Sequence, residues 1–299
     1  MAVSRRSMLI GLAAWGAVGA HAWWRRDPAP PGSIRIVSWN LRNFSGATAP
    51  TSRHAPGHDL DRLAEHFAAF DADVLCLQEV LDPGALQPLL PDYVLDASGD
   101  GGAHGQQLVI ARRGPISAAP PHTDPCTVLN PGLRPTLVQS LFLDGLRWSI
   151  VVVHLKATPA GHAVRQVQHE ALVQMLKDVP QPRLVVGDFN TTGRRGGSPA
   201  DEISSLCAAF STVGLQRVQP RLPCTAYWEG GRFDRFEEPS VLDHVFIEGA
   251  PPHAPAVHVA PGLQCSRSDC APITSTSAYP DLDLERVSDH CPLLIDVLG

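Results

Sequence analysis

Leu184-Val185-Val186-Gly187-Asp188-Phe189-Asn190 is the stretch on which the reading of the chain turns. A short run of leucine and valine bounded by a glycine reads as a buried strand, and Asp188 and Asn190 fall where that strand must leave the core. Five further segments repeat the pattern: Trp39-Asn40, Gln78-Glu79 after Val74-Leu75-Cys76-Leu77, His154, Asp243-His244 and Ser288-Asp289-His290. A core has no use for these side chains. As strand ends they can converge on one rim of a sheet scaffold. Carboxylates, amides and imidazoles gathered on one rim suit a hard divalent cation with histidines beside it, equipment for phosphoester cleavage.

Working outward, Val, Ile and Leu runs predict strands over 34–39, 74–78, 107–111, 136–143, 148–154, 184–187, 241–247 and 292–297. Helical spacing of Leu60, Leu63, Phe67 and Phe70 predicts a helix over 59–70, and Val164, Val167, Ala171, Leu172 and Met175 predict one over 163–176. A third is expected over 199–210, with Ser198 as its cap and proline in its first turn. Strands with interspersed helices imply a layered α/β sandwich.

The chain has 299 residues, 44% of them hydrophobic and 18% charged, with 28 prolines and 25 glycines, so a packed core is expected and disorder is not. Ser4-Arg5-Arg6-Ser7-Met8-Leu9-Ile10 sets two arginines against an apolar stretch that ends in Ala20-His21-Ala22, the pattern of a twin-arginine export signal over residues 1–22. The apolar run is about 15 residues, short of the roughly 20 that a spanning helix needs, which favours a cleaved signal. Trp23-Trp24-Arg25-Arg26 would suit a membrane interface if the signal were kept. Residues 23–33, with Asp27-Pro28-Ala29-Pro30-Pro31-Gly32, read as a linker to one domain over 34–299. Loss of residues 1–22 removes two arginines and no acid and takes the formal charge from −6 to −8, so no bulk basic surface for nucleic acid is visible. The chain is expected in the periplasm or outside the cell, as a monomer.

All seven cysteines lie beyond residue 22, at 76, 126, 207, 224, 265, 270 and 291. Cys76 and Cys291 sit in apolar strand runs and are expected to be buried free thiols. Cys265 and Cys270 bracket a polar loop and are the expected disulfide of an oxidising compartment. Their spacing lacks the second pair that a structural zinc would need.

Ile36-Val37-Ser38-Trp39-Asn40, Leu77-Gln78-Glu79-Val80, Val153-His154-Leu155, Val186-Gly187-Asp188-Phe189-Asn190, Leu242-Asp243-His244-Val245-Phe246 and Ser288-Asp289-His290 resemble, in order and context, the motifs of the endonuclease/exonuclease/phosphatase superfamily. The resemblance spans residues 34 to 297 and implies a deoxyribonuclease I-like, four-layer α/β sandwich of two packed mixed β-sheets flanked by helices. It implies that Glu79 binds an essential Mg²⁺ or Mn²⁺, with Asn40 and Asp289 completing the metal shell. Asp188 would orient or deprotonate the attacking water, and Asn190 would hold that water or bind the phosphate. His154 and His290 would flank the phosphorus as acid/base partners or donors, Asp243 would orient His290, and Arg134 would clamp a phosphate.

An Asp or Asn at one strand end is often a turn former, but turn chemistry does not dictate two histidines and several acids in one order. His244 reads as structural, since side chains alternate along a strand and Asp243 beside it is the functional one. His54 and His58 read as part of a solvated loop, with Pro56 and Gly57 between them. No GxxxxGK[ST], GxSxG or HExxH signature is present. The expected function is therefore phosphodiester hydrolysis by direct water attack, with nucleic acid favoured as substrate. A lipid or small-molecule phosphoester is the alternative, and a catalytically silent binding protein the reading from another class. Arg194-Arg195-Gly196-Gly197 would suit a phosphate backbone, and Tyr227-Trp228 with Arg232, Phe233 and Phe236 would stack on bases or touch lipid. Neither cluster decides between the substrates.

Overall fold

Apolar runs such as Ile150-Val151-Val152-Val153 and Leu184-Val185-Val186 are hydrophobic at every position because both faces of their strands are buried. A computed structural model shows how: it describes residues 33–50, 57–143, 145–229, 236–248 and 256–298. The expected export signal, residues 23–32 of the expected linker and His54 lie outside the described residues. In chain order the strands are β1 (Ser33–Phe44), β2 (Val74–Val80), β3 (Tyr93–Ala97), β4 (Gln107–Arg113), β5 (His122–Asp124), β6 (Thr136–Leu143), β7 (Leu146–His154), β8 (Arg183–Asp188), β9 (Leu215–Arg217), β10 (Ala226–Glu229), β11 (Glu237–Ser240), β12 (Asp243–Glu248), β13 (Val257–Pro261) and β14 (Leu293–Leu298). The α-helices are α1 (Leu60–Phe70), α2 (His162–Leu176), α3 (Pro199–Ser211), α4 (Leu263–Ser268) and α5 (Leu282–Arg286). None of the described helices is long and apolar enough to cross a membrane.

Twelve strands form two six-stranded mixed sheets, ordered β13-β14-β1-β2-β4-β3 and β5-β6-β7-β8-β12-β9, and β10-β11 form a separate hairpin. Parallel pairing joins β1 to β2 and β7 to β8, and the other sheet neighbours are antiparallel. Alternate side chains divide the burial. Ile36, Cys76 and Ile110 of the first sheet meet Leu141, Ile150, Val152, Leu184 and Val186 of the second in the central core. Val37, Trp39 and Leu77 point the other way, onto Leu63, Phe67 and Phe70 of α1. Val151, Val153 and Val185 pack on Leu172 and Leu176 of α2 and on Leu206 and Phe210 of α3. Helix, sheet, sheet and helix thus make the four expected layers. The three predicted helices are present within a residue or so of their expected ends. Asp59 caps α1 by accepting from Arg62 N (3.0 Å), and Ser198 caps α3 by accepting from Ala200 N (3.1 Å).

Two expectations about sulfur are overturned. Cys224 is bonded to Cys270 and Cys265 to Cys291, so Cys265 and Cys270 are not partners and Cys291 is not a free thiol. The reason is the short helix α4: Cys265 lies on its buried face toward the start of β14, whereas Cys270 follows its left-handed end at Asp269 and turns to Cys224. Cys76 is a buried free thiol, as expected, and Cys126 and Cys207 are also free. His58 is likewise not a solvated loop residue. It is buried, with Nε2 on the Leu41 carbonyl (2.9 Å) and its ring edge against Phe44.

Beneath this edge of the first sheet, Asp283 is fully buried and accepts from Arg62 Nε (2.6 Å), His66 Nε2 (2.8 Å) and Arg267 Nη1 (2.8 Å). Burial alone would raise its carboxyl, but hydrogen bonds from His66, Arg62 and Arg267 outweigh burial and hold it well below the ordinary 3.8. A carboxyl lowered by folding stabilises the fold above its unfolded pKa, and that contribution is lost as pH falls through the folded value. Asp283→Asn should therefore cost about 3–5 kcal/mol at neutral pH. In urea unfolding measured downward from roughly pH 4, the gap between wild type and variant should close, and a gap independent of pH would contradict this role.

Candidate active site

The strand pairing aligns the polar ends. His154 lies opposite Asp188 across β7 and β8, and Asp188 lies opposite Asp243 across β8 and β12, so three of the sequence-predicted residues form one row. Asn40 lies opposite Gln78 across β1 and β2 in the other sheet. Asn40 Nδ2 donates to Asp188 Oδ2 (3.0 Å), joining the two rows across the sandwich.

Asp188 is the hub. Its Oδ2 also accepts from Asn190 Nδ2 (3.0 Å), and its Oδ1 accepts from the backbone N–H of Asn190 (2.8 Å). That geometry requires the positive φ of 52° at Asn190, a conformation that asparagine tolerates better than most residues. Asn190 Nδ2 also reaches the Leu155 carbonyl (3.2 Å). Burial pushes the Asp188 carboxyl up to about 7; charged His290 opposes that rise, while the neighbouring Asp243 and Glu79 add to it. A carboxyl so placed is a base near neutral pH.

The two histidines are held in opposite charge states. His290 Nδ1 donates to Asp243 Oδ2 (2.9 Å) and its Nε2 faces Asp188 Oδ2 at 3.9 Å. Burial alone would lower its pKa, but Asp243 and Asp188 raise it well above 6.5 and keep it an imidazolium. His154 Nε2 lies 3.4 Å from Glu79 Oε1 and 3.5 Å from Asp188 Oδ2. Burial, with Arg134 and His290 nearby, lowers its pKa well below 6.5, so it is a neutral imidazole. Groups of one kind pushed apart in this way are suited to different steps of one reaction.

Glu79 closes the row in a left-handed conformation (φ 56°) at the end of β2. Burial and Asp289 raise its carboxyl pKa, against the lowering effects of His290, Asn40 and Arg134. Asp289 itself is the most open of the predicted residues, with a side chain 36% exposed and Arg42 Nε 3.7 Å away. Arg134 is buried behind His154, where Nε and Nη2 donate to the carbonyls of His154 (3.3 Å) and Leu155 (3.0 Å) and its charge faces Glu79 and Asp188.

Ligand atoms of Glu79, His154 and Asp188 lie within 4.8 Å of one another, as do those of Asp188, Asp243 and His290. The second group is already satisfied by its own Asp–imidazolium hydrogen bond. The first fits a divalent cation at Glu79: Asp188 Oδ2 already accepts from Asn40 and Asn190, whereas the partly buried Glu79 carboxylate, raised in pKa by burial and Asp289, gains from a positive charge placed beside it. Asp289 stands outside both groups.

Neighbouring residues hold these groups in place. Ser288 Oγ donates to the Asn40 carbonyl (2.6 Å) and accepts from His290 N (3.0 Å), while Trp39 Nε1 holds the His290 carbonyl (2.9 Å). His244 is structural, as expected: Arg217 Nε donates to its Nδ1 (2.8 Å), and its Nε2 meets Thr191 Oγ1 (2.9 Å) beside Asn190. Buried Arg165 of α2 bonds Glu202 of α3 (2.7 and 2.9 Å), the carbonyls of Lys156 and Thr158, and the Gly193 carbonyl. It thereby ties the loops that follow His154 and Asn190. Nothing in the sequence singles out Arg165 or Glu202 for this role. Arg194 and Arg195 are exposed on the loop after Asn190; Arg232 and Phe233 lie outside the described residues.

The chain is similar in structure to TDP2 of D. rerio complexed with single strand DNA product (TM-score 0.62, 19% identity, 89% of this chain and 99% of that one). It is similar to the human Nocturnin catalytic domain with bound sulfate anion (TM-score 0.61, 21% identity, 92% and 97%). An endonuclease/exonuclease/phosphatase from Bacteroides vulgatus aligns with a TM-score of 0.61 at 15% identity, over 89% of this chain and 98% of that one. At these identities the likeness is one of fold. Comparison with curated protein sequences gave no match. The model of the Endonuclease/Exonuclease/phosphatase family matches residues 37–290, which contain every motif that builds the rim, and the chain belongs to that family.

Proposed function

We propose that this chain is an exported, divalent-metal-dependent phosphodiesterase that hydrolyses nucleic acid by direct attack of water. The observation that carries the reading is the Asp188 hub, a buried carboxyl held by two asparagine amides between a neutral and a charged histidine. Members of this family are generally metal-dependent phosphoester hydrolases. Glu79, Asn40 and Asp289 would hold Mg²⁺ or Mn²⁺, which when bound supplies a Lewis acid to the phosphate oxygen. Asp188 takes a proton from water as the water oxygen attacks phosphorus, and Asn190 keeps that water in line. The ester P–O bond breaks, and the His290 imidazolium gives its Nδ1-anchored ring's Nε2 proton to the departing oxygen, leaving a phosphomonoester and an alcohol. Neutral His154 donates from Nε2 to the negative charge that develops on the phosphoryl group. Arg134 holds the His154 strand end and adds positive charge to the phosphate site.

Nucleic acid comes first because a structural neighbour is the DNA-product complex of TDP2. Export is supported by the arginine pair and apolar run of residues 1–22 and by two disulfides, which persist in oxidising compartments. A second reading, a lipid phosphoester, is favoured by the hairpin β10–β11. Trp228 is 57% exposed there and Phe236 beside it 48% exposed, and Ala226 at the hairpin's base pairs with His290.

The test is a panel of plasmid DNA, RNA, sphingomyelin vesicles and bis(p-nitrophenyl) phosphate, assayed with Mg²⁺ or Mn²⁺ and with EDTA. Metal-dependent cleavage of DNA or RNA, stopped by EDTA and restored by excess metal, is expected. Preferential cleavage of sphingomyelin establishes the second reading instead. Wild-type protein inert toward the whole panel moves the chain to the silent binding class.

A further inference from the structure

The segment Cys224-Thr225-Ala226-Tyr227 has no part in the chemistry above, yet it touches both halves of the Asp243–His290 pair. On one side, Thr225 Oγ1 accepts from the backbone N–H groups of Leu242 (2.9 Å) and Asp243 (3.0 Å), and Thr225 N donates to the Ser240 carbonyl (2.8 Å). On the other, Cys291 N donates to the Thr225 carbonyl (2.7 Å), Tyr227 N donates to the Asp289 carbonyl (2.8 Å), and Ala226 bridges His290. One short length of backbone therefore sets the separation between the chain that carries Asp243 and the chain that carries His290. Thr225 is fully buried, so no water can replace its hydroxyl as acceptor without rearrangement.

The two disulfides anchor this arrangement to α4 and to the turn that follows it. Cys224, the residue before Thr225, is bonded to Cys270, and Cys291, the residue after His290, is bonded to Cys265. Cys224, Cys265 and Cys291 are buried, whereas Cys270 is half-buried, so the Cys224–Cys270 bond is the one with a partly exposed member.

We propose that Thr225, held in place by the Cys224–Cys270 disulfide, is a positioning residue for the Asp243–His290 pair, and that full activity requires this bond to be oxidised. The proposal rests on the phosphodiesterase reading. Dithiothreitol supplies two electrons and two protons; the S–S bond breaks to two thiols as the reductant closes to its own disulfide, and oxidised glutathione reverses the exchange. Freed at Cys224, the segment no longer fixes where Asp243 and His290 meet. A displacement of about 1 Å in such a constellation costs up to about 10²-fold in rate.

The test compares oxidised wild type, dithiothreitol-reduced wild type, Thr225→Val and Thr225→Ser on two substrates. An oligonucleotide has a leaving alkoxide that needs a proton, and bis(p-nitrophenyl) phosphate has a leaving phenolate that does not. Reduction and Thr225→Val should each lower kcat on the oligonucleotide about 10- to 100-fold, with KM little changed and a smaller loss on the p-nitrophenyl ester. Thr225→Ser, which keeps the hydroxyl, and reoxidation should restore the rate. Equal loss on both substrates, or undiminished kcat after both treatments, would overturn the proposal. Proton NMR of the His290 Nδ1–H, downfield while bonded to Asp243, reads the same samples without any substrate. If oxidised wild type cleaves nothing, the phosphodiesterase reading fails, and a resonance unmoved by Thr225→Val and by reduction would separately sink the positioning role.

Discussion

Asp188→Asn is expected to lower the metal-supported rate of oligonucleotide cleavage by about 10³- to 10⁴-fold, the scale of a lost general base. The loss has two sources. Water is left without a proton acceptor, and the hub is left with a conflict of donors. Oδ2 of Asp188 receives both Asn40 Nδ2 and Asn190 Nδ2, and Oδ1 receives Asn190 N, so an amide NH₂ in either position meets an N–H already pointing at it. Stability should respond differently from activity. The folded pKa of Asp188 is raised to about 7 from an ordinary 3.8, so ionising it disfavours the fold. Its neutral form contributes stability below the unfolded pKa, and this is lost as pH rises through the folded one. After treatment with EDTA, wild type should therefore lose stability relative to Asp188→Asn as pH is raised from the ordinary value through about 7. A variant that kept wild-type turnover, or a stability difference that did not change with pH, would count against the assignment.

His290→Ala is expected to cost about 10²- to 10⁴-fold, with the larger loss on the substrate whose leaving group needs a proton. Asp243, Asp188 and Asp289 keep this ring charged despite burial, and the Asp243 bond fixes its Nδ1, so Nε2 faces the hub with a proton to give. Asp243→Asn should reproduce part of the loss, because the ring keeps a partner but loses the charge that favours its imidazolium. The pair of substrates described for Thr225 measures both effects. Equal losses on oligonucleotide and p-nitrophenyl ester would remove His290 from the role of acid.

Much of the site was legible because the chemistry sits at strand ends. Asn40, Glu79, His154, Asp188, Asn190, Asp243 and His290 each follow or begin an apolar run; strand pairing brings His154, Asp188 and Asp243 into register, and the Asn40 amide reaches Asp188 from the other sheet. The layered fold was legible for a related reason: β7 and β8 are apolar at successive positions, which only a strand buried on both faces requires. Edge elements were not. β3 is half-buried through most of its length and shows no alternation, and β13 is interrupted by His258 and ends at Pro261. The disulfides escaped because closeness in sequence is a poor guide across a helix: four residues separate Cys265 from Cys270, but α4 turns them to different partners. Thr225, Arg165 and Glu202 carry no pattern at all. Their roles arise from long-range contacts to backbone groups, which a single sequence does not display.

The central claim is that a divalent cation and the Asp188 hub together hydrolyse a phosphodiester. The most direct measurement is the single-turnover cleavage rate of a single-stranded oligonucleotide against Mg²⁺ or Mn²⁺ concentration, for wild type and Asp188→Asn side by side. A wild-type rate that rises to saturation with metal and vanishes in EDTA, beside a variant slow at every metal concentration, is the predicted result. Cleavage that persists in EDTA, or that is equally fast in the variant, would contradict it.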